Sequence, residues 1–109
     1  MPGPRIPEAL KTQVADHIAA FNRQILQDPN VSYRPRYQGA FLYLDRCDYG
    51  QVSHICRLQY TGAPDRWTFA VYKYSDERYD ADEWFFPGAE QVDGTIEGAL
   101  RAGMAAYPP

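Results

Sequence analysis

The sequence has little of what would assign a function directly. Of its 109 residues only two are cysteines, Cys47 and Cys56, too few for a disulfide framework and typical of a reducing compartment. No hydrophobic run approaches the roughly 20 residues that span a bilayer, and the N-terminus has no signal-peptide pattern. These absences predict a soluble, cytoplasmic protein with no membrane partner.

Short motifs that bind nucleotides, metals or haem are missing as well. The sequence contains no C-x-x-C, G-x-x-x-x-G-K, G-x-G-x-x-G or H-E-x-x-H pattern, each of which would carry a definite chemistry. It also has no internal repeat and no low-complexity segment. We therefore expect no cofactor, and an enzymatic activity is the less favoured interpretation.

Charge is unevenly distributed along the chain, although the formal net charge is only −3. Residues 1–75 contain nine Lys/Arg against six Asp/Glu, whereas residues 76–109 contain two against eight. Separate basic and acidic regions allow one of them to bind an anion, or the two to pair with each other.

Aromatic residues, in contrast, are abundant. Nine tyrosines, five phenylalanines and two tryptophans make up 15% of the chain. One small domain rarely needs so many rings for its core alone. Some of them are therefore expected on a binding surface.

Hydrophobic periodicity predicts a helix at each end of the chain. In a segment that Pro29 terminates, apolar residues follow one another at spacings of four, four, three and four: Leu10, Val14, Ile18, Phe21 and Ile25. This stripe predicts a helix over residues 7–28. A second helix is predicted over residues 94–106, capped by Asp93 or Thr95.

Alternating strands and turn residues fill the region between the helices. The fold class is therefore α+β: a single domain over residues 1–109 with a flexible N-terminus at residues 1–6 and two layers. Both helices lie on one face of an antiparallel meander of four or five strands. The strands are predicted over residues 31–37, 40–47, 52–60 and 67–74, and a fifth over residues 83–86.

Turn geometry predicts the register of the sheet and therefore its two faces. A two-residue Gln38-Gly39 turn sets Arg34 beside Tyr43, and a three-residue loop over residues 49–51 sets Leu44 opposite Cys56. A two-residue loop at that second turn would shift the register by one and exchange the faces. The three-residue loop is preferred, because it keeps the apolar residues of neighbouring strands on one face. Arg34, Tyr43 and Arg57 would then form one cross-strand row. The uncovered face carries the candidate binding residues Arg34, Arg36, Phe41, Tyr43, Ile55, Arg57, Tyr72 and Tyr74.

Alternating arginine and tyrosine side chains suggest what this uncovered face binds. Tyrosine and arginine are enriched at protein interfaces, so the favoured hypothesis is a non-enzymatic interaction module that forms a homodimer or binds a protein partner. Single-stranded nucleic acid or another anion is the second hypothesis, with bases on the rings and phosphates on the arginines. Arginine stacked on tyrosine also stabilises ordinary sheet surfaces.

Two weaker patterns concern metals and a reactive thiol. The acidic loop 76–83 contains five carboxylates, among them Asp80, Asp82 and Glu83, whose oxygens could serve a metal-dependent enzyme as Mg²⁺ or Ca²⁺ ligands. A solvated loop at a sheet edge is the simpler interpretation. His54-x-Cys56 supplies two zinc ligands where three or four are needed, and the preferred register separates Cys47 from His54, so no activated thiol is expected.

Several segments between Val31 and Leu100 share the pattern of one family: Gly39–Arg46, Ile55–Tyr60, Trp67–Tyr72 and Glu83-Trp84-Phe85, followed by the C-terminal helix. In these segments the chain resembles a family of small bacterial domains of unknown function. The resemblance implies a helix–meander–helix fold and brings no catalytic residue.

The order of elements is also similar to that of double-stranded-RNA-binding domains and of frataxin-like proteins, in layout alone. Double-stranded-RNA-binding domains use a basic start to their last helix, which here has no lysine. Frataxin-like proteins bind iron through an acidic first helix, which here has few acidic residues.

Overall fold

The computed structural model describes residues 5–109. Residues 1–4, which belong to the segment predicted to be flexible, lie outside the described part. The architecture confirms the predicted α+β class: one five-stranded antiparallel sheet in the order β1-β2-β3-β4-β5, with a helix before it and a helix after it. Within residues 5–109 no helix is long and apolar enough to cross a membrane. The elements are α1 (Glu8–Phe21), β1 (Val31–Gln38), β2 (Phe41–Asp48), β3 (Gln51–Gln59), β4 (Thr68–Lys73), β5 (Arg78–Asp80) and α2 (Ile96–Ala106).

The helices bury their apolar stripes against one face of the sheet. The predicted α1 stripe is buried from Leu10 to Phe21, but its last member, Ile25, lies beyond α1 and is 45% exposed. Helix α2 begins after Thr95, whose hydroxyl accepts a hydrogen bond from the Gly98 N–H at 3.0 Å. Ile6, from the segment predicted to be flexible, also lies in this core and is 6% exposed. The core includes Leu10, Val14, Ile18, Phe21, Leu42, Leu44, Leu58, Phe69, Ile96 and Leu100.

Helix α1 does not continue as predicted to residue 28. It changes at Asn22 into a π-helical turn, Asn22–Leu26. The Asn22 side chain consequently reaches the free edge of β1, where it accepts from the Tyr33 N–H at 2.9 Å and donates to the Tyr33 carbonyl at 3.2 Å. Pro35, two residues further along the same edge, has no N–H to offer. This edge is therefore poorly suited to pairing with another strand.

In the first hairpin, the register between β1 and β2 differs from the prediction by two residues. Its turn is Gly39-Ala40, so that Gln38 pairs with Phe41. A shift of two preserves both faces but changes the cross-strand neighbours. Arg36, and not Arg34, lies opposite Tyr43, so the predicted row that joined Arg34 to Tyr43 is wrong.

The second hairpin corrects the prediction of a three-residue loop. Its turn has two residues, Tyr49 and Gly50, with φ angles of 52° and 86°, the positive values that two-residue hairpins favour. A β-bulge between Leu44 and Asp45 absorbs one residue of β3 and restores the predicted pairing of Leu44 with Cys56.

The bulge has two consequences for the faces of β3. Ile55, predicted on the uncovered face, is buried and 1% exposed, and it approaches α2 at Gly103. His54, predicted on the same face as Cys56, instead lies opposite Asp45 on the uncovered face. The next hairpin pairs Cys56 with Val71, as predicted.

The fifth strand forms in a different place from the prediction. Residues Arg78–Asp80, within the predicted charged loop, form β5, and Tyr79 pairs with Tyr72 of β4. Residues 83–86, predicted to be the strand, are irregular and present Trp84 and Phe85 to solvent.

Candidate interaction face

The sheet surface opposite the helices is called the open face here. The register places all the predicted binding residues on or beside it except Ile55, which belongs to the core. It also adds three side chains that were not predicted there. The residues of the open face are Arg34, Arg36, Phe41, Tyr43, Asp45, His54, Arg57, Tyr72, Tyr74 and Tyr79.

A continuous chain of tyrosine rings crosses the open face. The ring centroids are 5.2 Å apart between Tyr43 and Tyr79, 4.9 Å between Tyr79 and Tyr72, and 4.8 Å between Tyr72 and Tyr74. Tyr107, which follows α2, continues the chain at 5.4 Å from Tyr74. All four contacts are edge-to-face, the arrangement that aromatic quadrupoles favour. The rings therefore hold one another in place and form a preformed surface.

Tyr79 joins Tyr43 to Tyr72 in this chain, although it comes from the shortest strand. Its hydroxyl is buried and makes no well-formed hydrogen bond among the described residues. Burial, with a smaller effect from the negative charge of Asp45, raises the pKa of Tyr79 to about 12, although the neighbouring Arg36 guanidinium acts in the opposite direction. The alternation Arg78-Tyr79-Asp80, one ring between two charges, was the available sequence signal for this strand.

Arginine side chains cover the rings on β2. The guanidinium carbon of Arg36 lies 4.3 Å from the Tyr43 ring centroid, and that of Arg57 lies 4.5 Å from the Phe41 centroid and 5.5 Å from the Tyr79 centroid. These distances are within cation–π range. Arg34 lies two residues before Arg36 on the same face of β1, opposite Asp45, and is exposed.

A buried carboxylate joins three strands beneath the arginines. Asp45 of β2 accepts from Arg36 Nε at 3.0 Å and lies 3.0 Å from His54 Nδ1, while its side chain is only 11% exposed. The hydrogen bond to Asp45 raises the pKa of the Arg36 guanidinium. An aspartate directly after the apolar run Phe41–Leu44 of β2 was the sequence signal for this cluster, because a buried charge needs partners.

The acidic loop forms ion pairs at the β4–β5 edge. Lys73 Nζ lies 3.2 Å from Glu83 Oε2 and 3.9 Å from Asp80 Oδ2, and Arg78 Nη2 lies 3.2 Å from Asp80 Oδ2. The hydrogen bond to Glu83 raises the pKa of Lys73. Asp82 is exposed. In the part of the chain that the structure describes, no three His, Cys, Asp or Glu side chains are grouped to hold a metal ion.

One buried charge lies apart from the open face. Arg46 of β2 is 2% exposed and donates to both Asp48 oxygens, at 2.9 Å from Nε and 3.2 Å from Nη2. Its Nη1 lies 3.6 Å from Met104 Sδ of α2. This pair connects the sheet to α2 and serves the fold.

No protein-family model, curated protein or solved structure matches the chain. The resemblance to small bacterial domains therefore stays a prediction, and function has to be argued from the surface itself.

Proposed function

We propose that the protein is a non-enzymatic interaction module that self-associates through its open face. The support comes from three properties of this surface: it lies opposite both helices, its rings are held rigidly, and it is rich in tyrosine and arginine. Rigid aromatic side chains lose little entropy on binding, and they dominate the energetics of many protein interfaces.

The distribution of side chains across the open face is the observation that carries the proposal. Arg34, Arg36 and Arg57 lie on β1 and β3, whereas Tyr72 and Tyr79 lie on β4 and β5. A two-fold axis parallel to the strands, placed between two facing sheets, would set β1 of one copy over β5 of the other. Arginines would then meet tyrosines twice in one symmetric interface. Each exposed cation–π contact contributes about 0.5–1 kcal/mol.

The two edges of the sheet are less suited to self-association than the open face is. Asn22 and Pro35 protect the β1 edge, and β5 is only three residues long. A long, unpaired edge strand is what edge-to-edge association needs. Stacking of open faces is therefore the better route to a dimer.

Sedimentation equilibrium tests this proposal on the wild type and two variants. Arg34→Glu reverses an exposed charge on the arginine side, and Tyr74→Ser removes a half-exposed ring on the tyrosine side. Each is expected to weaken dimerisation at least tenfold. Tyr49→Asn is the matched control: it removes an exposed aromatic residue away from the open face, at a positive φ that asparagine tolerates. A wild-type monomer at high micromolar concentration, or unchanged dimerisation in both variants, would refute the proposal.

Binding of single-stranded nucleic acid or another anion to the open face is the second candidate. It is favoured by Arg34, which is exposed, and by Arg57 over the Phe41 ring, whereas Arg36 is already held by Asp45. It predicts an affinity that falls steeply with salt and is lost in Arg34→Ala/Arg57→Ala. The candidate ranks second because the carboxylates at the β4–β5 edge would repel a long polyanion crossing the sheet.

A metal-dependent activity of Asp80, Asp82 and Glu83 has less support. Lys73 and Arg78 already neutralise two of these three carboxylates. A metal ion would have to displace both cations.

A further inference from the structure

A second surface lies beyond the end of β5 and does not depend on self-association. Phe85 is 98% exposed, and Trp84 beside it is 51% exposed. Two adjacent aromatic side chains exposed to water are energetically unfavourable, because each has a large apolar area that a bound partner would remove from water. Exposed apolar patches of this kind commonly mark binding sites.

A preformed groove adjoins these two residues. It has a volume of about 410 Å³ and lies between the end of β4, residues 83–87 and the end of α2. Phe86 in its wall stacks on the core residue Phe69 at 5.8 Å with an interplanar angle of 17°, and the Tyr107 hydroxyl donates to the Tyr72 carbonyl. The walls are therefore anchored before any ligand arrives. The groove shares Tyr74 with the open face. Its other apolar and aromatic lining residues are Val71, Phe85, Phe86, Pro87, Ala106 and Tyr107.

The segment that borders the groove, residues 73–83, is acidic. It contains five carboxylates against the two cations Lys73 and Arg78. The two charged residues that line the groove itself, Lys73 and Glu83, pair with each other at 3.2 Å, whereas Glu77 and Asp82 are exposed. A bordering segment of net negative charge attracts cationic partners and repels anionic ones.

We propose that this groove binds an extended, proline-rich segment of another protein that carries arginine or lysine next to its prolines. Aromatic-lined grooves accept proline rings, because the polyproline helix is extended in advance and loses little entropy on docking. The basic residues would meet the carboxylates of the acidic segment 73–83 beside the groove. Strand addition is a poor alternative, since β5 offers only three residues.

The native fluorescence of Trp84 is the readout, because Trp84 is exposed next to the lining residue Phe85 and the other tryptophan, Trp67, is buried. The probes are acetyl-Arg-Pro-Leu-Pro-Pro-Leu-Pro-amide, its lysine counterpart, and a control in which glutamate replaces the basic residue. We expect a saturable blue shift with the two basic peptides, and at least tenfold weaker binding of the glutamate peptide. Trp84→Phe should remove the signal while calorimetry still detects binding.

Variants of the protein locate the site. Phe85→Ser should weaken binding of the basic peptides at least tenfold, and Glu77→Lys/Asp82→Lys should weaken it most at low salt. Tyr49→Asn, which removes an exposed ring elsewhere, should bind as the wild type does. Phe85→Ser should also sediment as the wild type does, which separates this site from the open face.

Three results would overturn the inference: no saturable response to either basic peptide at millimolar concentration, equal binding of the glutamate peptide, or unchanged binding by Phe85→Ser. A blue shift of Trp84 that grows with protein concentration alone, and is lost in Phe85→Ser, would place a second copy in the groove. That result would also overturn the assignment to a proline-rich partner.

Discussion

The buried pair of Arg46 and Asp48 allows a quantitative prediction about stability. Asp48→Asn removes the counter-charge of a guanidinium that is 2% exposed and leaves only neutral acceptors around it. Breaking a fully buried ion pair costs about 3–5 kcal/mol. The Asp48 side chain is 24% exposed, so water offsets part of this cost, and we expect a loss of about 2–3 kcal/mol. The corresponding fall in Tm is roughly 10 °C for a domain of this size.

Urea unfolding of a double-mutant cycle measures the interaction itself. Arg46→Met leaves a carboxylate that solvent can reach, so it should cost less than Asp48→Asn. In Arg46→Met/Asp48→Asn no charge remains buried, and the coupling energy should be at least about 1 kcal/mol. Asp16→Asn, at an exposed position of α1, should change stability by less than about 0.5 kcal/mol. A cost of Asp48→Asn as small as this control, with an unchanged m-value, would refute the reasoning.

Two further predictions concern the β1 edge and the centre of the open face. Asn22→Ala removes both hydrogen bonds to Tyr33 and should cost about 1–2 kcal/mol while increasing aggregation; a variant as stable as the wild type in urea and equally free of light scattering would contradict this. Tyr79 has its pKa raised to about 12 by burial, above the value of about 10 for an unfolded chain. Its neutral form is therefore favoured by folding, and its contribution to stability is fully present below pH 10 and is lost as the pH rises towards 12. Unfolding measured across this range should show a smaller loss in Tyr79→Phe than in the wild type, and equal losses would count against a buried neutral hydroxyl.

The predictable parts of this fold are those that local patterns control. The α1 stripe of Leu10, Val14 and Ile18 has helical spacing, and Thr95 has the chemistry of an N-cap. The pairing of Cys56 with Val71 followed from alternation on both strands. In each case neighbours in sequence supply the whole signal.

The errors arose where two local signals compensate each other. Tyr49-Gly50 forms a two-residue turn that alone would exchange the faces of β3, and the bulge at Ile55 reverses this exchange. The pairing of apolar residues predicted correctly that Leu44 lies opposite Cys56. It attributed this register to a three-residue loop, whereas the structure has a two-residue turn and a bulge. Nothing in the alternation of β3 distinguishes a third loop residue from one extra residue inside the strand.

Local patterns in the sequence are enough to predict the fold class, both helices and a surplus of aromatic and arginine residues on one side of the sheet. How these residues meet depends on the folded chain: Arg36 and His54 contact Asp45, Tyr79 lies between Tyr43 and Tyr72, and Phe85 is exposed. Periodicity reports which face a residue occupies, because backbone geometry repeats every two or 3.6 residues. Contacts across several strands depend on turn lengths, on the bulge and on how far each side chain extends. These effects accumulate from strand to strand, and they leave no periodic pattern in the sequence.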